Sequence, residues 1–321
     1  MALLVLLSAV TALWSVPDGS ATIAVGDSPV GSFRGSITWD GLTRNYLIHV
    51  PPAWDQSSHL PLVLALHGGN GTADDMVRMT RGGFDRLADT EGFIVVYPEG
   101  LSHARPIRTR WNDGRDPKFS EADDVGFLSA LIDHLGQTLN IDRHRVYATG
   151  ISNGAQMVVR LARDLPDKIA AVAPVAYSMP EKVAATFVST RAISVLVMTG
   201  TKDPSVPWEG GDTPDPTGER RLGRVLSVPE TLRVLARHNL CSASPRVEWV
   251  RERQSGDRAE VRRESWTNCK EGAEVVLYAI EGGGHTWPGG ARYSAGKSLG
   301  KANQDIDPSA IIWGFFKRHA R

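Results

Sequence analysis

Along the 321 residues, apolar and polar positions fall into two alternating kinds of run. Near-continuous apolar stretches occupy residues 62–66, 93–97, 169–173 and 193–198. Each predicts a strand covered on both faces, because a half-exposed strand would alternate apolar with polar. Between them, apolar residues return at helical spacing. Val125, Leu128, Leu131, Ile132 and Leu135 form one stripe behind the acids Asp123 and Asp124, and Ala155, Met157, Val158 and Leu161 form another. Residues 230–238 and 308–319 predict two more helices, and 246–253, 258–266 and 274–280 predict further strands. Segments 33–39 and 44–50 predict a hairpin near the start. This order of strand and helix predicts an α/β fold, a mostly parallel central sheet with helices on both faces.

Turn and charge signals refine that picture. Thr72 followed by Asp75 predicts a helix cap, although glutamate or glutamine is the usual third residue. Charges of both signs are mixed into 251–264, which places those strands toward a sheet edge. Residues 101–122 form a long irregular stretch, expected as one rim of a pocket. Residues 208–226 read either as a second rim or lid, or as a solvated loop. There is no repeat and no linker long enough to divide the chain, so residues 23–321 are expected to be one catalytic domain behind a leader at 1–22.

Composition narrows the partners. Lysine plus arginine and aspartate plus glutamate both number 36, with no basic block, which argues against a nucleic-acid partner. The apolar run at 2–14 is too short for a stable membrane span and has signal-peptide length, so secretion to the extracellular space is expected. No lysine or arginine precedes it and no clean cleavage site follows. In an exported protein the single pair Cys241 and Cys269 predicts a disulfide. Metal-ligand spacings, a phosphate-binding P-loop and a dinucleotide glycine fingerprint are all missing, so neither metal nor cofactor is expected.

The candidate chemistry centres on Gly150-Ile151-Ser152-Asn153-Gly154, which lies between a strand and a helix. That context gives the Gly-x-Ser-x-Gly pattern its meaning, since the serine must stand on a sharp turn. An activated serine needs a base, and the base needs a carboxylate to orient it. Asp203 follows the strand at 193–198, and His285 follows the strand at 274–280 within a glycine-rich flank, in the chain order this type of sheet uses. The backbone N–H of Asn153 is the expected first donor to the oxyanion. The second is expected from Gly69 or Asn70, in the loop after residue 66.

Six motifs in order now become recognisable. They are Leu66-His67-Gly68-Gly69, Arg110-Trp111-Asn112-Asp113-Gly114-Arg115, Asp123-Asp124-Val125-Gly126-Phe127-Leu128, Gly150 to Gly154, Gly200-Thr201-Lys202-Asp203-Pro204 and Gly283 to Gly289. Together they resemble the secreted polyhydroxybutyrate depolymerase and feruloyl esterase family of α/β-hydrolases, over roughly residues 33–320. The resemblance implies an esterase without a cofactor, with Ser152 as nucleophile, Asp203 as acid and His285 as base. It also implies that Trp111, Trp208 and Trp287 are pocket-side aromatics. The chain departs from many relatives in having one cysteine pair and no appended polymer- or carbohydrate-binding module. An aromatic rim favours a phenolic acyl group, so the sequence expectation is feruloylated polysaccharide first, with polyester or acetylated xylan as the alternative substrate. A serine peptidase of the same fold and a non-catalytic glycan-binding protein are the rival classes.

Overall fold

A computed structural model describes residues 29–103, 108–115, 122–214, 221–250, 260–291 and 299–321. The leader at 1–22 lies outside them. The chain opens with strands β1 (Gly31–Trp39) and β2 (Leu42–Val50), joined by Asp40 and Gly41, both at positive φ as a two-residue hairpin turn requires. Next come β3 (Leu62–Leu66), helices α1 (Ala73–Met79) and α2 (Gly83–Glu91), and β4 (Ile94–Pro98). The stretch expected to be irregular contains a short antiparallel pair, β5 (Leu101–His103) and β6 (Arg108–Arg110). Then follow α3 (Asp124–Thr138), β7 (Val146–Ile151), α4 (Asn153–Asp164), β8 (Ala171–Val175), α5 (Glu181–Ala184) and β9 (Ser194–Gly200). A second small pair, β10 (Gly211–Pro214) and β11 (Arg221–Val225), precedes α6 (Val228–His238). The chain closes with β12 (Arg246–Val250), β13 (Val261–Trp266), β14 (Val275–Ile280) and α7 (Pro308–Phe316).

One ten-stranded sheet runs in the order β1-β2-β4-β3-β7-β8-β9-β14-β13-β12. The six strands from β4 to β14 are parallel, and antiparallel strands finish both edges. This is the α/β-hydrolase arrangement. In β3 every residue is buried, with Leu62, Leu64 and Leu66 facing one core and Val63 and Ala65 the other. The period of two therefore persists inside an apolar run, one face per layer. The first core takes side chains of α3, α4 and α6, and the second takes those of α1, α2 and α7. The mixed charges mark the edge as expected: β12 is the last strand, and its Glu248 pairs with Arg263 of β13.

Helix starts follow the local chemistry. Thr72 and Asp75 do form a reciprocal capping box, with aspartate serving where glutamate is usual. Asp123 caps α3, Ser227 caps α6 and Asp307 caps α7. Asp124, at the first turn of α3, has a second task. It is fully buried and accepts a 2.6 Å bond from the equally buried Arg44 of β2, whose guanidinium lies 3.9 Å above the Phe127 ring. Cys241 and Cys269 form the expected disulfide, closing a sequence separation of 28 residues between α6 and β14. In the chain-entropy account such a loop contributes about 3–4 kcal/mol.

The order reverses between β3 and β7, because the chain leaves β3 for β4 on one side and returns to β7 on the other. Such a reversal is where open α/β sheets hold their ligands, in a crevice at the carboxyl edge. His67-Gly68-Gly69 follows β3, and Ser152 follows β7.

Candidate active site

Ser152 stands between the end of β7 and the first turn of α4 with φ 57° and ψ −115°. A non-glycine residue in that region carries strain of about 1–3 kcal/mol, held here by what surrounds it. Its N–H donates to Val175 O of β8 at 3.0 Å, and its carbonyl accepts from Gln156 N at 3.0 Å. The flanking glycines are required by close approach. A Cβ on Gly150 would lie 2.8 Å from the Gly154 carbonyl carbon, and one on Gly154 would lie 2.6 Å from Leu66 O. Real Cβ atoms do not come so close to backbone, so strand, elbow and helix pack this tightly only without those side chains.

Asp203 and His285 come from the loops after β9 and β14, adjacent parallel strands of the same sheet. Asp203 Oδ2 accepts from His285 Nδ1 at 2.8 Å, and both side chains are buried. The other carboxylate oxygen accepts from Ser205 N at 2.7 Å and Val206 N at 2.8 Å, which fixes the plane of the carboxylate. The two loops are bonded to each other, Lys202 N to Gly283 O at 2.9 Å and Gly282 N to Thr201 Oγ1 at 2.9 Å. With Nδ1 bonded to Asp203, the imidazole keeps Nε2 for a proton from elsewhere. Among the described residues no hydrogen bond joins Ser152 Oγ to His285; contacts of this kind often tighten only in the substrate complex.

The loop after β3 lies against the elbow. A Cβ on Gly68 would sit 3.6 Å from Ser152 Cβ, and one on Gly69 3.7 Å from Asn153 Cβ. The N–H of Asn153 belongs to the first turn of α4, where donors have no partner within the helix. Asn70 needs correction as an oxyanion donor. It sits at φ 63° and its N–H is already bonded to Thr109 O at 2.8 Å, which turns it away from the crevice. Gly69, in the same loop and beside Asn153, is the residue carried forward.

His67 is a fixture of the same loop. Its Nδ1 bonds Gly68 O at 2.8 Å, and Nε2 accepts from Gly100 N at 2.9 Å, so the ring is a neutral, fully buried tie. Burial lowers its pKa from an ordinary 6.5 to about 4. An unfolded chain therefore takes up a proton between those values that the native state refuses, and stability falls as pH drops from about 6.5 toward about 4. The loss attributable to His67 should total about 3 kcal/mol. Urea midpoints at pH 7, 5.5 and 4.5 should separate the native chain from His67→Gln, whose profile is expected to be flatter over that window.

The aromatic positions require a second correction. Trp111 and Trp287 are each only 1% exposed. Trp111 packs on His67 with ring centroids 5.0 Å apart and donates from Nε1 to His67 O at 3.0 Å. Trp287 sits edge-on to Phe84 in the second core. Neither offers ring surface to a substrate, because a position beside a catalytic motif does not fix which way its side chain turns. Trp208 is only partly buried, with the Arg262 guanidinium 5.9 Å from its ring centroid. Beyond it, β10 and β11 are tied to the segment after β8 by a Pro180–Val225 bridge and by Leu226 N to Met179 O at 2.8 Å.

Two residues near the elbow were not singled out from sequence. Asp113 Oδ2 accepts from Asn153 Nδ2 at 2.7 Å and from Arg115 at 2.6 Å. Burial opposes its ionisation, yet the Arg115 guanidinium holds its carboxyl below the ordinary carboxylate range. The available signal was an aspartate two residues before an arginine inside the tryptophan motif, a spacing at which a turn can close an ion pair.

A strained serine on a βα elbow and a buried aspartate–histidine pair, at one sheet edge, belong to the serine-type α/β-hydrolase esterases, enzymes acting on ester substrates. Comparison with known proteins makes this specific. The chain belongs to the family described as esterase PHB depolymerase, whose model matches residues 44–205. It is 34% identical over 259 residues to a putative esterase NocK of Nocardia uniformis subsp. tsuyamanensis, covering 78% of this chain and 72% of that one. Feruloyl esterase B of Piromyces equi is 27% identical over 75% of this chain, which spans only 42% of that longer protein. A solved thermostable esterase shares the fold with TM-score 0.53 at 16% identity, over 90% of this chain and 63% of its own.

Proposed function

We propose that this protein hydrolyses short-acyl carboxylic esters through an acyl-enzyme, with Ser152 as nucleophile, His285 as general base and acid, and Asp203 as the group that orients the base. The observation carrying this reading is the 2.8 Å Asp203–His285 bond at the sheet edge where Ser152 occupies its strained elbow. His285 Nε2 takes the serine proton as Ser152 Oγ attacks the ester carbonyl. The N–H groups of Asn153 and Gly69 receive the oxyanion, and protonated His285 then releases the alcohol. Water repeats the sequence on the acyl-enzyme.

For the substrate, the family description and the buried tryptophans support polyhydroxyalkanoate or acetylated-polysaccharide esters over the feruloyl ester first expected. A phenolic acid would need an aromatic slot, and two of the three rings expected to build it face the cores. Secretion fits the leader expected at 1–22 and the Cys241–Cys269 disulfide. Among the described residues no helix is long and apolar enough to cross a membrane.

Purified enzyme should be assayed on p-nitrophenyl butyrate, acetylated xylan, a polyhydroxybutyrate film and methyl ferulate. Turnover of a short-acyl substrate should exceed that of methyl ferulate by about tenfold or more, since a missing pocket contact is worth 1–3 kcal/mol. The reverse order would restore the feruloyl reading, and cleavage of amides alone would identify a peptidase.

A further inference from the structure

The motif Arg110-Trp111-Asn112-Asp113-Gly114-Arg115 is not absorbed by the proposed mechanism, yet its bonds converge on the oxyanion region. Trp111 N donates to Asn153 Oδ1 at 2.8 Å, and Asn153 Nδ2 donates back to Trp111 O at 3.1 Å. The same Nδ2 gives its other proton to Asp113 Oδ2 at 2.7 Å, so the Asn153 side chain is held at both ends. Arg115 grips Asp113 through Nε at 2.8 Å as well as through its terminal nitrogen, which fixes the carboxylate. On the other side, Trp111 Nε1 bonds His67 O and Thr109 O receives Asn70 N. One segment of five residues therefore ties the glycine loop after β3 to the first residue of α4.

The segment is anchored from behind. Asn112 N donates to Asp124 Oδ2 at 2.6 Å, Asn112 Nδ2 to Ala122 O at 2.8 Å, and Arg160 to Asn112 O at 2.6 Å. Asp124 in turn is paired with Arg44. Buried polar networks of this kind rigidify the groups they join.

We propose that Asp113 is a positioning residue for the esterase reaction: by clamping the Asn153 side chain it aims the Asn153 backbone N–H at the oxyanion, while Trp111 keeps the glycine loop in register with it. This rests on the reading of Asn153 N–H as an oxyanion donor. The side chain of Asn153 is the lever and its N–H is the working end. A donor must lie within a few tenths of an ångström of the developing charge to act in full, and a displacement of about 1 Å can cost about a hundredfold in rate. Ground-state binding of the ester makes no such demand, so the effect belongs to kcat and not to KM.

The test is a cycle of Asp113→Asn, Asn153→Ala and the double variant, assayed on p-nitrophenyl butyrate with circular dichroism as a folding control. Asp113→Asn should lower kcat by about tenfold to a hundredfold with KM within about threefold. Asn153→Ala retains the backbone N–H but loses the lever and should show the same split. The double variant should be no slower than Asn153→Ala, because Asp113 acts through that side chain. Losses that multiply in the double variant would show Asp113 acting elsewhere and overturn the proposal. So would a folded Asp113→Asn enzyme with native kcat. If Asp113→Asn folds poorly, Asn153→Ala decides alone, since it leaves the Asp113–Arg115 pair intact; native kcat in that variant sinks the idea. Failure of the underlying mechanism has a different signature, turnover retained by Ser152→Ala, which the Asp113 series does not produce.

Discussion

Ser152→Ala should lose ester turnover by about 10⁴-fold or more, in a protein that still folds. The alanine keeps the backbone but removes the only atom able to form the acyl-enzyme, and a fluorophosphonate probe should no longer label the chain. The elbow allows a second, sharper reading at the same site. At φ 57° a Cβ is strained and glycine is not, so Ser152→Gly should be equally inactive but more stable than the native chain by about 1 kcal/mol. Urea midpoints of the three proteins measure this directly. Turnover within about a hundredfold of the native rate in either variant would remove Ser152 from the mechanism, and a Ser152→Gly protein less stable than Ser152→Ala would remove the claim of strain.

Asp203→Asn is expected to lower kcat by about 10⁴-fold while barely changing KM. The direction follows from the three bonds of this carboxylate. Oδ1 accepts two backbone N–H groups, from Ser205 and Val206, so an amide introduced there must place its oxygen on that side. Its NH₂ then faces His285 Nδ1, where Oδ2 stands in the native protein. Nδ1 becomes the acceptor, the proton moves to Nε2, and the imidazole can no longer take the proton of Ser152. Thermal stability should change little, because shape and backbone contacts are conserved. A drop of less than tenfold would indicate that His285 keeps its tautomer without Asp203.

Much of this arrangement was legible in the chain because burial on both faces leaves a simple mark. Leu62–Leu66 reads as a buried strand and is one, and the charges near residue 260 marked the sheet edge that β12 occupies. Ser152, Asp203 and His285 could be placed at strand ends because glycines and prolines punctuate those ends. What escaped depended on contacts between distant positions. Asn70 gives its N–H to Thr109, far along the chain, and no local signal announces that bond. Trp111 and Trp287 turn inward because His67 and Phe84 await them, which a motif cannot reveal. Asp113 looked like one polar residue in a loop until Asn153 and Arg115 were found on either side of it. Strand ends within the described residues moved by one or two positions, as in β8, expected at 169–173 and found at Ala171–Val175; the expected ends at 253 and 258 lie outside the described residues.

The bonds between the loops after β9 and β14 have a further meaning. Lys202 to Gly283 and Gly282 to Thr201 join the loop of Asp203 directly to the loop of His285. The geometry of the Asp203–His285 pair is thereby set between two adjacent strands of the sheet. A lineage built on this plan can alter loops that do not touch these two strands while the pair itself is inherited unaltered.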